Sequence, residues 1–171
     1  MVVIVTGPES SGKSTLCEAL NQEYNSILVN EYAREFLKSS DYSFEDLEQI
    51  ARTQLKNIAK AKDKAEKSQM VLADTGHIVL EIWFEERFGD LPKNWQQNIQ
   101  GSCADLYLLC ASDIPWEDDP LRENPHDRHR LFDLYKAKLE AHQLNYSIVQ
   151  GNQDTRLAEA MKIIDKKKAA L

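Results

Sequence analysis

The stretch Val2-Val3-Ile4-Val5-Thr6-Gly7-Pro8-Glu9-Ser10-Ser11-Gly12-Lys13-Ser14-Thr15-Leu16 decides the fold. Its first five residues are all β-branched and end in glycine, the pattern of a strand buried on both faces. Residues 7–14 then match G-x-x-x-x-G-K-[ST] in full. A helix follows from about Gly12 to Tyr24, with Leu16, Ala19 and Leu20 on one side. Strand, glycine-bounded loop and helix in that order make a phosphate cradle, and the flanking elements argue against a chance glycine-rich turn. The glycines let the backbone curl so that successive N–H groups point inward. The helix start adds its positive end. Lys13 supplies a compact charge for the outer phosphates of a nucleotide. Ser14 offers a hydroxyl to Mg²⁺, with Thr15 packed behind it. Gly7, Glu9, Ser10, Ser11, Gly12, Lys13, Ser14 and Thr15 are therefore the expected nucleotide-binding residues.

Working outward, strands and helices alternate. Strands are expected at 27–29, 70–73, 106–110 and 146–149. Helices are expected at 43–67, through 78–83, near 93–100, at 127–142 and at 154–168. In the long helix, Ser43 and Asp46 form a capping box, and Leu47, Ile50, Ala51, Leu55, Ile58 and Ala59 recur at helical spacing. Lys166-Lys167-Lys168 suits the end of the last helix. Such alternation predicts an α/β chain with a parallel sheet covered on both faces, in one domain over residues 1–171.

Composition bounds the partners. The 171 residues carry 21 Lys and Arg against 28 Asp and Glu, a formal net charge of −7. An acidic chain is a poor tracker of nucleic-acid backbones and of anionic membranes. No stretch reaches the roughly 20 apolar residues of a membrane span. The N-terminus lacks the basic and apolar regions of a signal peptide. Cys17, Cys103 and Cys110 show no Cys-x-x-Cys spacing and read as reduced, buried thiols of a cytoplasmic protein. The four histidines complete no zinc pattern.

Three further segments carry candidate chemistry. Asp74 ends the third strand, beside the phosphate loop; it reads either as a carboxylate that binds the metal directly or through its bound water, or as the N-cap of the next helix. Glu31, in Val29-Asn30-Glu31-Tyr32-Ala33-Arg34, is placed to accept a proton from a substrate hydroxyl or to hold a ribose diol; a surface role is the alternative. Arg34 suits a bidentate substrate contact, and equally a structural ion pair. Residues 112–130 hold three prolines, one tryptophan and three arginines. The prolines exclude one continuous helix. Arg122 or Arg128 on such a flap can neutralise a transferring phosphoryl group, unless the loop's own acids hold them. Trp116 reads as a stacking platform or as a core anchor.

Together, Gly7 to Leu16, Glu31-Tyr32-Ala33-Arg34-Glu35, Ala73-Asp74-Thr75 and Pro115-Trp116-Glu117-Asp118-Asp119-Pro120-Leu121-Arg122 resemble the ribosylnicotinamide kinase domain of NadR-type proteins. That domain is a P-loop nucleoside and nucleotide kinase, often grouped with AAA-type ATPases. The resemblance implies a three-layer P-loop NTPase with its five parallel strands ordered 2-3-1-4-5 and a lid near 112–130. It implies ATP- and Mg²⁺-dependent phosphorylation of nicotinamide riboside to the mononucleotide. Gly7 to Thr15 would hold ATP. Ser14 and Asp74 would hold Mg²⁺. Glu31 and Arg34 would face the substrate, and Arg122 and Arg128 would belong to the lid. With the reading of the residues themselves, the expected substrate-binding set is Glu31, Tyr32, Arg34, Asp74 and Trp116, and the expected catalytic set is Lys13, Glu31, Arg122 and Arg128. The pattern departs at one point: the family often has a second acid two residues after Asp74, and this chain has Gly76. From its 171 residues the sequence is expected to hold the kinase domain alone, without the adenylyltransferase and DNA-binding domains of NadR-type proteins. A regulatory ATPase without a small acceptor is the competing reading. A GTPase is disfavoured, because neither Asn-Lys-x-Asp nor Asp-x-x-Gly is present.

Overall fold

The computed structural model describes residues 1–95, 104–119 and 121–170. The expected short helix near 93–100 falls largely outside them, as do Cys103 and Pro120. Five strands form one parallel sheet: β1 (Val2–Thr6), β2 (Ile27–Val29), β3 (Val71–Asp74), β4 (Leu106–Cys110) and β5 (Tyr146–Val149). Their order is β2-β3-β1-β4-β5. Six helices are described: α1 (Lys13–Tyr24), α2 (Ala33–Phe36), α3 (Phe44–Lys64), α4 (His77–Phe88), α5 (Arg128–Ala141) and α6 (Gln153–Lys168).

Strand alternation builds the layers, because successive side chains point to opposite faces. Val3, Val5, Leu72, Leu106 and Leu108 pack with Leu16, Cys17 and Leu20 of α1 and with Ala160 and Ile164 of α6. On the other face Ile4, Ala73, Tyr107 and Leu109 pack with Ile58 of α3, Ile78 and Ile82 of α4, and Leu131, Tyr135 and Leu139 of α5. Both faces are apolar, so the strands read as unbroken hydrophobic runs. A third apolar cluster joins α2, α3 and α4 through Ala33, Leu47, Ile50, Leu80 and Phe84, with Trp95 beside them.

Several local expectations shift. β3 starts at Val71 and includes Asp74, one residue later than the sequence reading. α3 stops at Lys64 because Ala65 is extended, and its capping box is present between Ser43 and Asp46. Within α3, Leu55 is only half-buried and Ala59 is exposed. Gln54 and Ala61 are buried instead. Thr15 does not pack behind Ser14; it is exposed at the start of α1. Ala19 is half-buried, and Cys17 takes the core position beside Leu16 and Leu20. Cys17 and Cys110 are free, buried thiols, and burial pushes Cys110 up to about 12.

The α4–α5 pair carries a buried polar tie. Glu81, on the packed side of α4, accepts from Lys138 Nζ at 2.8 Å and faces His142 Nε2 at 3.0 Å. Lys138 also reaches Glu85 at 2.6 Å. This ion cluster fixes the spacing of the two helices that wall one side of the site. His77 sits beside it, and burial lowers its pKa to about 4, so the ring is neutral at ordinary pH.

Candidate active site

The loop between β1 and α1 is held in a curl that only certain residues tolerate. Gly7 and Gly12 have φ of 137° and 74°, and Ser10 has 51°. A Cβ on Gly7 would meet the Cys110 carbonyl at 2.7 Å. That oxygen is backbone and cannot yield, so glycine is required there. α1 begins at Lys13 with Gly12 as its N-cap, and no side chain caps its first N–H groups. Those groups are left open at the helix's positive end. Lys13 Nζ folds back onto the Gly7 and Pro8 carbonyls at 3.0 and 2.8 Å, and the Ser11 hydroxyl donates to Pro8 O at 2.7 Å.

Two acids stand at the strand ends nearby. Glu31 lies two residues past β2, with 17% of its side chain exposed. Burial raises its pKa, opposed by Lys13 and helped by Asp74. Arg34 bonds Glu31 at 3.2 Å through Nε and Asp119 at 2.8 Å through Nη1. The Arg34 guanidinium holds the Asp119 carboxyl below its usual range. Asp74, the last residue of β3, is 4% exposed. It does not cap α4; Gly76 holds that position without a side-chain bond. Asp74 pairs in register with Val5 of β1, two residues before the loop glycine.

The turn after Asp74 is strained and braced. Thr75, a β-branched residue, has φ of 77°. Such a conformation costs about 1–3 kcal/mol and persists only where the surroundings enforce it. Gln54 enforces it: its Nε2 donates to Asp74 O at 3.0 Å and Thr75 O at 3.1 Å, while its Oε1 accepts from Tyr32 N at 2.9 Å. One buried amide thus ties the ends of β2 and β3 together. Gly76 has its own reason. A Cβ there would meet two side-chain carbons of Ile4 at 2.9 Å, so the sheet core leaves no space for an acid.

The described residues of 112–127 contain no helix, and several bond the phosphate loop. Glu9 Oε2 accepts from Glu123 N at 3.0 Å and Asn124 N at 2.9 Å. Ser10 Oγ accepts from Glu117 N at 2.9 Å. Arg122 Nη1 donates to Ser10 Oγ at 3.3 Å and to the Glu117 carbonyl. Arg128 Nη1 donates to Ser10 O at 3.0 Å and Ile114 O at 2.9 Å. Trp116 is neither a core anchor nor a cavity wall. It is half-buried, its Nε1 bonds Asp118 at 2.8 Å, and the Arg122 and Arg128 guanidinium groups lie 5.9 and 5.8 Å from its ring centre.

A cavity of about 310 Å³ opens between these parts, the size of a small-molecule site. Glu9 to Thr15, Glu31, Arg34 and Arg122 line it. Gly7, Tyr32, Asp74, Trp116 and Arg128 do not. Several wall residues were not singled out as binding residues in the sequence: Val79, Ile82 and Trp83 of α4, Leu131 and Tyr135 of α5, and Glu86. In sequence Ile82, Trp83, Leu131 and Tyr135 have only the spacing of apolar helix faces, and Val79 and Glu86 carry no signal of their own. Gln54 left one signal, a polar residue between Ile50 and Ile58 in an apolar stripe. Arg156 left another, a cation in a helix's first turn where the dipole disfavours it. It is 3% exposed and bonds the Ser11 carbonyl.

A family model described as AAA domain (AAA_28) matches residues 2–156. The chain belongs to this AAA domain family. The trifunctional NAD biosynthesis/regulator protein NadR of Escherichia coli (strain K12) is 25% identical to it over 171 residues, covering 95% of this chain and 41% of NadR. The chain thus spans less than half of that relative's length. A solved NadR structure in complex with NR superposes with a TM-score of 0.80 at 22% identity, over 97% of this chain and 50% of that one. Thymidylate kinase from Candida albicans superposes with a TM-score of 0.69 at 15% identity, over 98% of this chain and 92% of that one. This AAA domain therefore has the P-loop kinase fold, with the sheet order expected for it.

The AAA domain's residues suit a magnesium nucleotide. The loop keeps its curl only with glycine at 7, where a Cβ would strike the Cys110 carbonyl, and the N–H groups opening α1 have no side-chain cap. No cluster of three or more His, Cys, Asp or Glu able to hold a metal occurs among the described residues. Mg²⁺ in such sites needs none, since it takes one or two protein oxygens and completes its shell with phosphates and water. The Ser14 hydroxyl, on the cavity wall, and the buried Asp74 carboxylate are hard oxygens of the kind it takes. Among the described residues no helix is long and apolar enough to cross a membrane.

Proposed function

We propose that residues 1–171 form a nucleoside kinase that moves the γ-phosphoryl group of ATP to a hydroxyl of a nucleoside, with nicotinamide riboside as the acceptor. One observation carries this reading: the Lys13 loop and the raised carboxyl of Glu31 line the same cavity. A phosphate site alone would suit any ATPase. A buried acid facing it, with an apolar wall for a base, suits transfer to an alcohol.

The chain's residues divide the work. The loop N–H groups and Lys13 bind the phosphates; Lys13 leaves the Gly7 and Pro8 carbonyls to do so. Ser14 and Asp74 would hold Mg²⁺, which would offset phosphate charge. Glu31 takes the proton of the acceptor hydroxyl as its oxygen attacks phosphorus. The bond from the γ-phosphorus to the bridging oxygen breaks, and ADP leaves. A carboxyl raised by burial is a stronger base for this proton than an ordinary one. Arg34, paired with Glu31, orients the carboxylate. Arg122, on the cavity wall, faces the developing charge, and Arg128 holds the lid to the loop. Val79, Ile82, Trp83 and Tyr135 shield the base, and the lid excludes water that would otherwise accept the phosphoryl group.

The resemblance in the motifs and the match to NadR, one of whose structures holds NR, support this acceptor. The test is ADP release with Mg²⁺-ATP across a panel of nucleosides. Stimulation by nicotinamide riboside above every other nucleoside is the expected result. Slow release that no nucleoside stimulates would favour a regulatory ATPase.

A further inference from the structure

We infer that Arg156 is a positioning residue for the phosphate loop, setting the direction of the Gly12 amide that faces the phosphates. The inference rests on the kinase reading only in that the loop binds a polyphosphate.

Arg156 lies in the first turn of α6, far in sequence from the loop. It is 3% exposed. Its Nη1 donates to the Ser11 carbonyl, and its Nη2 donates to Asp113 and, at 3.4 Å, to Ala111 O. One planar guanidinium therefore joins the apex of the loop to the end of β4. The approach is close: a Cβ on Gly12 would lie 3.1 Å from Nη1. Glycine at 12 thus also admits the arginine.

Peptide geometry converts this grip into a function. The Ser11–Gly12 peptide is trans and planar, so its N–H points opposite to its C=O. Arg156 draws the carbonyl towards itself. The Gly12 N–H must then point away from Arg156, which is not a cavity wall, whereas Ser11 and Gly12 are. The preceding peptide is treated alike: Arg128 holds Ser10 O at 3.0 Å, which orients the Ser11 N–H. The two braces differ in origin. Arg128 comes with the lid, while Arg156 comes from the core helix α6. A bidentate fork that spans three acceptors is a task for arginine and not for lysine.

The experiment measures binding of Mg²⁺-tripolyphosphate and Mg²⁺-ATP to the full chain by calorimetry, with steady-state KM for ATP and acceptor alongside. Arg156→Ala is expected to weaken tripolyphosphate and ATP alike by about ten- to hundredfold. The KM for ATP rises while the acceptor KM stays unchanged, a split that general loosening of the fold would not give. Arg156→Lys keeps charge and most of the volume, and it decides the matter if the alanine variant does not fold. A lysine cannot hold Ser11, Ala111 and Asp113 together, so an intermediate loss of about threefold to tenfold is expected. Wild-type tripolyphosphate affinity in a folded variant overturns the inference and leaves the kinase reading standing. Equal rises in both KM values overturn it also. If no nucleoside stimulates turnover, the kinase reading fails while the tripolyphosphate comparison still decides this one. A wild-type chain that binds neither ligand overturns both.

Discussion

The two halves of the cavity are built in opposite ways. The donor half comes from eight consecutive residues, Pro8 to Thr15, and owes its shape to backbone conformation. The acceptor half comes from the end of β2, from α4, from α5 and from the lid, and owes its shape to packing. A curl of backbone needs particular residues at particular spacings. A packed wall needs only volume and polarity, which many sequences supply. The donor half should therefore fail by single substitutions at fixed points, and the acceptor half should change its preference before it fails.

Glu31, where the halves meet, is the sharpest test of the division. Glu31→Gln is expected to reduce turnover by about 10²–10⁴-fold with little change in ATP affinity. Equal loss of both would make Glu31 part of the donor half's structure. The pH profile gives a second reading. Burial raises this carboxyl, so the acid limb of kcat/KM should lie above the ordinary glutamate range and vanish in the glutamine variant. The stability effect has the opposite sign. A raised folded pKa means that stability is present at low pH and is lost as pH rises through that pKa. Glu31→Gln should then unfold at no lower temperature than wild type at pH 7, which calorimetry can check.

Lys13→Ala should lower kcat by about 10²–10³-fold with the fold intact by circular dichroism. Retained turnover would move the chemistry away from the loop. On the acceptor side, Trp83→Ala should raise the acceptor KM by about tenfold and leave ATP binding alone. A matching loss of ATP affinity would break the division of the cavity. The smallest effect concerns the boundary itself. Gly76→Ala pushes a methyl against Ile4 and should cost about 1–3 kcal/mol in urea unfolding, with activity retained in the folded fraction.

The same contrast explains what was legible in the sequence. The sheet, its order through the resemblance, and the loop all follow from local patterns: β-branched runs, a fixed glycine spacing, a capping box at Ser43. Glu31 and Arg34 were visible because they follow a strand in a short recognisable segment. Val79, Ile82, Trp83 and Tyr135 were not, since a helix face against a cavity and a helix face against a core have the same periodicity. Trp116 illustrates the limit from the other side. Its character suggested a base platform or a core anchor, yet two neighbouring arginines occupy it. Gly76 looked like a missing acid, and the structure gives it a reason in the Ile4 side chain. Arg156 required the folded chain, because a long-range contact leaves only a weak trace in local sequence.

The central claim is that a phosphoryl group passes from ATP to a nucleoside across this cavity. Phosphorus NMR of the chain with Mg²⁺-ATP and nicotinamide riboside tests it most directly. ADP and a nucleoside phosphomonoester should rise together in equal amounts, with inorganic phosphate absent. ADP accompanied by inorganic phosphate, with no phosphomonoester from this or any other nucleoside, would contradict it.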